Sequence, residues 1–234
     1  MVTAAMALLT TLFLAPIIAM MPQSALAALV IVYSFGLIKP IEFHDILQIR
    51  RTEFSWAIVA FAGVVFVGTL KGIIVAIIVS LFTLAHQVAD PPVYVLRRKP
   101  GTNVFRPQSP EHPDDESFPG LLLLRPEGPI FFANAAHIAH KIEPLIRETQ
   151  PKVVAVDASG VLDMEYTALK MFAQVAESQR QHGIQLWLIG MSPGVLAIVQ
   201  RSPLGQMLQR KAMHFNLEIA VGRYLSDEVE REQS

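Results

Sequence analysis

Two long runs of this chain carry almost no charge. Residues 1–38 contain no charged side chain, and between 54 and 86 the only one is Lys71. Across all 234 residues the charged fraction is 17% and the hydrophobic fraction 52%, which sets the chain apart from an ordinary soluble domain with about 25% charged residues. Pro16 and the turn Met21-Pro22-Gln23-Ser24 divide the first run into a segment ending near Met20 and another from about Ser24 to Ile38. The second run divides into 54–70 and 72–85, hinged at Lys71-Gly72. About 20 apolar residues cross a bilayer at 1.5 Å each, so the first segment is long enough and the other three are short. Short segments suit helices packed inside a multi-helix membrane protein, and a soluble core of this size has no use for four of them. The expected architecture is therefore about four α-helical membrane segments followed by a water-soluble half. Ala25-Leu26-Ala27 resembles a signal-peptide cleavage site, but no basic n-region precedes it and apolar sequence continues to Ile38, so cleavage is not expected.

Residues 1–85 hold four basic and three acidic groups, which leaves 15 basic and 17 acidic for the remainder. The formal charge of −1 gives no global basic field to gather nucleic acid. The absence of cysteine excludes disulfides, thiolate nucleophiles and cysteine-ligated metals. Lys39, Arg50 and Arg51 lie in one loop and Arg97, Arg98 and Lys99 follow the last apolar segment, while the tip between them offers Lys71 alone. Two helices separate the clusters, so both fall on one side, which the positive-inside rule makes cytoplasmic together with the soluble half. Within residues 39–53, apolar and polar side chains mix as in an interfacial amphipathic helix.

Residues 88–117 read as a proline-rich linker after a membrane region of 1–87, with 93–96 a possible short strand and Glu111, Asp114, Asp115 and Glu116 as solvated charge. From 118 to 230 strands alternate with helices, which points to a small α/β sandwich that closes its own core. Apolar runs at 121–124 and 130–132 flank Glu127-Gly128-Pro129 and read as a hairpin. Helices are expected over 135–148, with Asn134 as N-cap, and over 166–181, closed by His182-Gly183. Strands are expected at 152–156 and 186–189, and short helices at 192–200, 203–210 and 218–228.

The stretch from Val153 to Ala168 is a strand, a polar turn and a helix start. Backbone N–H groups there can hold an anion, but Asp157 and Ser159 equally suit turn residues bonding their own backbone, and that reading carries more weight from chemistry alone. His137 and His140 lie three apart without a carboxylate motif, so no metal site is expected. No Gly-x-Ser-x-Gly elbow, Walker A motif or Gly-x-Gly-x-x-Gly occurs, so neither an enzyme nor a cofactor is indicated.

These residues resemble the C-terminal portion of a SulP (sulfate permease) anion transporter ending in its STAS domain, the module shared with anti-sigma factor antagonists. The matching residues are Leu-Phe-Leu-Ala-Pro at 12–16, Met-Pro-Gln at 21–23, Ala-Ala-Leu-Val-Ile-Val at 27–32, Gly36-Leu37-Ile38, Gly-Pro-Ile-Phe-Phe-Ala-Asn at 128–134 and Asp-Ala-Ser-Gly-Val at 157–161. The resemblance spans essentially the whole chain, with membrane and STAS motifs in the family's own order. It implies gate helices of an inner-membrane, multi-pass transporter of sulfate- or bicarbonate-like anions, working by alternating access. The family's anion site, at the N-termini of two half-helices, is not identifiable here, so no substrate-binding residue is assigned. By the same resemblance the chain starts at about the eleventh membrane segment, so its partners would be the bilayer, the upstream segments, a second copy and a cytoplasmic regulator. The regulatory loop would comprise Asp157, Ser159, Glu165, Tyr166 and Thr167. Tyr166 stands where the antagonists place their phosphorylated serine, so serine-kinase switching does not carry over, and Thr167 is the hydroxyl beside it. The alternative is a membrane-tethered STAS signalling module without transport activity.

Overall fold

The computed structural model describes residues 2–13 and 19–232. The chain divides into two compact units, 1–80 and 81–234.

In the first unit the described helices are α1 (Val2–Phe13), α2 (Gln23–Leu37), α3 (Pro40–Ile49) and α4 (Arg51–Val67), followed by the start of α5 (Thr69–Ala89). Residues 14–18, around the Pro16 that was expected to help divide the first apolar run, lie outside the described residues. The segment between the basic residues forms a helix as expected: Pro40 takes the first helical position, where its missing N–H costs nothing, and Lys39 reaches Glu42 at 2.8 Å. Of the described helical stretches, Gln23–Ile49 and Thr69–Ala89 are long and apolar enough to cross a membrane. Helix α4, at 17 residues, spans about 26 Å, short of a hydrocarbon core of about 30 Å. The expected hinge at Lys71-Gly72 falls instead at Gly68, whose φ of +97° ends α4, and Lys71 lies in the first turn of α5. Gly72 has another task. A Cβ there would lie 2.6 Å from the Val64 backbone, so only glycine lets α5 touch α4 at this point.

The second unit is a sheet of six strands among the described residues, ordered β2-β1-β3-β4-β5-β6. The strands are β1 (Val93–Arg98), β2 (Phe105–Pro107), β3 (Leu121–Pro126), β4 (Val153–Asp157), β5 (Gln185–Ile189) and β6 (Met213–His214). The helices are α6 (Phe132–Thr149), α7 (Tyr166–Gln181), α8 (Pro193–Arg201), α9 (Pro203–Leu208) and α10 (Leu217–Glu232). Strands β3 to β6 run parallel, and β1 is antiparallel to both neighbours. Helices cover both faces, which is why the central strands read as unbroken apolar runs. Leu121, Leu123, Val153, Ala155, Trp187 and Ile189 pack with α10 through Leu217, Val221 and Tyr224. The alternate residues, Leu122, Leu124, Val154, Val156, Leu186 and Leu188, face the opposite layer of helices.

Two expectations are corrected. Residues 88–117 are not merely a linker, because they supply β1 and β2, and Leu96 is 3% exposed in the core. The run at 130–132 does not return as a hairpin strand: β3 ends at Pro126, Phe131 precedes the first turn of α6, and the chain crosses over to β4 in parallel. Ile130 instead forms an isolated parallel bridge with Met164.

His214, on the edge strand β6, stacks against Trp187 with ring centroids 4.5 Å apart, and its Nε2 is buried with no hydrogen-bond partner. Burial, and secondarily the charge of Arg223, hold its pKa below the ordinary 6.5, against an opposing pull from Asp227. The unfolded chain therefore binds this proton more readily. The stability His214 contributes is full above about pH 6.5 and is lost as pH falls through the lower folded value. Urea midpoints are expected to fall on acidification from about pH 7.5 to 5.5, and less steeply in H214F; equal pH dependence in the two would refute this assignment.

Candidate functional site

The parallel strands β3, β4 and β5 end on one side of the sheet, where connecting loops collect. At that end β4 delivers Asp157, 3% exposed, and β3 delivers Arg125. The Arg125 Nε donates to Asp157 Oδ2 at 2.8 Å, and its Nη2 lies 2.6 Å from the same oxygen. The other carboxylate oxygen accepts the Ser159 backbone N–H at 3.0 Å, so the turn closes on its own aspartate. Gly190, at the end of β5 with φ +65°, leaves the space that Asp157 fills: a Cβ there would sit 3.0 Å from Oδ1.

Beyond Asp157 the loop is stitched to the segment before α6. Gly160 accepts from the N–H of Gly128, Asp163 from that of Ile130, and Ile130 in turn from that of Glu165, at 2.8 to 2.9 Å. Glu165 precedes α7 but does not cap it through its side chain. Its Oε2 accepts the N–H of Phe132 at 2.9 Å and so holds the first turn of α6. Of the five loop residues expected to matter, Asp157 is buried in an ion pair, whereas Ser159, Glu165, Tyr166 and Thr167 are exposed. Tyr166, 64% exposed, and Thr167 open α7, where unpaired backbone N–H groups favour negative charge.

Asn134 is not the N-cap. It sits at the third helical position, fully buried, and binds three backbone groups. Its Oδ1 accepts the Phe131 N–H at 2.9 Å, while Nδ2 donates to the carbonyls of Pro129 at 2.8 Å and Val88 at 3.0 Å. About two turns further along α6, Lys141 Nζ reaches Asp90 Oδ1 at 2.6 Å and the Pro91 carbonyl at 2.9 Å. The hydrogen bond from Lys141 holds the Asp90 carboxyl below its ordinary range, helped by the nearby His137 and His86. The end of α5 is thus fastened to α6, and α6 to the loop through Glu165.

Arg125 and Gly190 were not singled out from the sequence, and Asn134 was read there only as an N-cap. Arg125 leaves a trace there, because a cation closing a run of four leucines inside a buried strand needs a partner. Among the described residues no group of three or more His, Asp or Glu side chains is arranged to hold a metal, and His137 and His140 are both exposed.

The architecture defines a STAS-domain protein with apolar helices preceding that domain: residues 112–218 match the STAS domain and residues 1–60 the sulfate permease family. Over its helical part the chain is similar to the sulfate permease family. It is similar to Sulfate transporter 1.1 of Arabidopsis thaliana, 27% identical over 236 residues, with 97% of this chain and 36% of that protein aligned. High affinity sulfate transporter 2 of Stylosanthes hamata is 26% identical over 95% of this chain and 35% of its own. The chain thus spans about a third of the length of the curated relatives it matches. The murine Solute Carrier 26 family member A9 anion transporter, solved in an inward-facing state, shares the fold at a TM-score of 0.69 and 17% identity, over 78% of this chain and 30% of that one.

Proposed function

We propose that this chain serves the transmembrane movement of an inorganic anion such as sulfate or bicarbonate, as gate helices and a regulatory STAS domain acting with further membrane segments. The observation that carries this reading is the order of modules: permease helices over 1–60, then a STAS domain over 112–218, aligned along nearly the whole chain with sulfate transporters. Four membrane segments within residues 1–87, a cytoplasmic soluble half and an inner-membrane location belong to the same proposal. Lys39, Arg50 and Arg51 around α3 support that orientation. The exposed Ser159, Tyr166 and Thr167 are the loop positions a regulator would meet, and Asp157 shapes the turn that presents them.

Alternating access needs an anion site and a second moving body, and the half-helices of the family's site are not identifiable in these residues. Vesicles holding only this chain are expected to show no saturable sulfate or bicarbonate uptake above empty vesicles. Co-expression with the remaining segments of a sulfate permease is expected to restore it. Saturable uptake by the 234-residue chain alone would overturn the placement of the anion site elsewhere. Reporters in the 39–53 loop and at the C-terminus are expected on the cytoplasmic side and one at Gly68 outside; a split between the first two would remove the four-segment topology.

A further inference from the structure

Among the described residues after α5, the large apolar side chains most open to solvent are Phe215, Leu162, Phe132 and Tyr166, at 84%, 80%, 68% and 64% exposure. They are not scattered. Phe132 follows the end of β3, Leu162 and Tyr166 follow the end of β4, and Phe215 follows that of β6. These strands run parallel, so all four side chains stand at one end of the sheet. A lone exposed apolar residue is ordinary, whereas several gathered on one end mark a surface that meets something other than water.

Three of the four are joined to one another. Residues 128–132 run beside 160–165, held by the Ile130–Met164 bridge and by the bond from the Phe132 N–H to Glu165, so Phe132, Leu162 and Tyr166 lie along one pair of segments. The carboxylates of the loop are turned into it: Glu165 accepts from Phe132, and Asp163 Oδ1 accepts the Met164 N–H at 2.8 Å. Lys170 lies one turn beyond Tyr166 on the same face of α7 and is also exposed. Tyrosine rings and lysines with extended stems are the side chains that settle at membrane–water boundaries. A single lysine offers little to anionic headgroups, so the attraction is that of the apolar side chains.

The end of α5 says what this surface meets. Residues 81–89 belong to the same compact unit as the sheet. Asn134, two residues past Phe132, donates at 3.0 Å to the Val88 carbonyl, one of the last four of α5 that lack an intrahelical partner. The apolar run of α5 ends at Ala85, which puts Val88 about 4.5 Å further along the axis. The headgroup layer on each side of a hydrocarbon core is about 5 to 7 Å deep. With α5 crossing the bilayer, Val88 and the Asn134 amide that holds it stand within that layer, and Phe132 is two residues away.

We propose that this end of the soluble unit rests on the bilayer, with Phe132, Leu162 and Tyr166 in the interfacial layer of neutral phospholipid. The proposal rests on the reading of α5 as a membrane-spanning helix. It places a regulator of Ser159 and Thr167 at the membrane surface.

The chain has no cysteine, so single cysteines carry a fluorophore without background. The test uses the full chain in phosphatidylcholine vesicles. Bimane on F132C, L162C and Y166C is expected to be quenched by a lipid nitroxide at acyl position 5 at least about threefold more than on H182C, at the far end of α7 about 24 Å from Tyr166. I78C, in the middle of α5, is expected to be quenched by a nitroxide at acyl position 12 and reports on the span independently. Quenching at I78C with the three others at the level of H182C would overturn the proposal and leave the span standing. An unquenched I78C would remove the span and the proposal with it. Labels at 132, 162 and 166 shielded from both the lipid nitroxide and aqueous iodide would mean that a protein surface covers this end, and would overturn it equally. Because the three positions are exposed and read separately, a variant that fails to fold leaves two others to decide.

Discussion

A soluble piece running from Asp90 to Glu232 is expected to unfold in one cooperative urea transition, whereas a piece starting at Phe118 is expected to aggregate. The difference lies in β1. Residues 93–95 pair with 124–126 of β3, and without them β3 becomes an edge strand that follows a run of four leucines. An exposed, flat, apolar edge is a template for pairing with other chains. Leu96 also leaves the cluster that contains Phe118, Leu121 and Leu123, a loss of about 1.5 to 3 kcal/mol from a unit whose whole stability is about 5 to 15. Asn134 tolerates the cut at Asp90, since Nδ2 keeps the Pro129 carbonyl when Val88 is gone. A 118–232 piece with the same urea midpoint as the longer one would show that β1 and β2 are dispensable.

Within the longer piece, D157A is expected to cost about 3 kcal/mol. Removing one partner of a buried ion pair costs about 3–5 kcal/mol, and the Arg125 side chain, 24% exposed, recovers some hydration, which puts the loss at the low end. The Ser159 N–H loses its acceptor as well. D157N restores a neutral acceptor in the same place and is expected to lose less. The midpoint should fall with the slope of the transition unchanged, since the same surface is exposed on unfolding. A D157A change below about 1 kcal/mol would mean that the pair gains no more than a surface salt bridge.

How far the sequence disclosed this fold depended on whether the signal was local. Helix α7 was legible over 166–181, because Leu169, Phe172, Ala173 and Ala176 mark one stripe and His182-Gly183 ends it. Strand β4 was legible as a short apolar run ending at Asp157. Strands β1 and β2 were hidden by prolines at 91, 92, 100 and 107 that fall at or beyond their ends, and their pairing is fixed by distant partners. Two-residue β6 has no period to read. The 130–132 run failed for another reason: two apolar rings at 131 and 132 look like strand, but Asn134 accepts the Phe131 N–H and starts a helix. At the candidate site, the turn residues were visible as a strand-to-helix junction. Arg125 and Gly190 come to it only through the parallel register of β3, β4 and β5.

The junction leading out of α5 has no slack. Three residues separate Ala89 from Val93, two of them prolines with fixed φ. Lys141 grips Asp90 and the Pro91 carbonyl, Asn134 grips that of Val88, and the Pro92 carbonyl accepts from Glu127. Every residue from Val88 to Pro92 except Ala89 is therefore tied into the soluble unit. The last turn of α5 is thereby tied to β1, one strand in from the sheet's edge, and through α6 to the Glu165 end of the loop. A few glycines spliced in after Ala89 would part that turn from the ties that follow it while leaving the sheet intact.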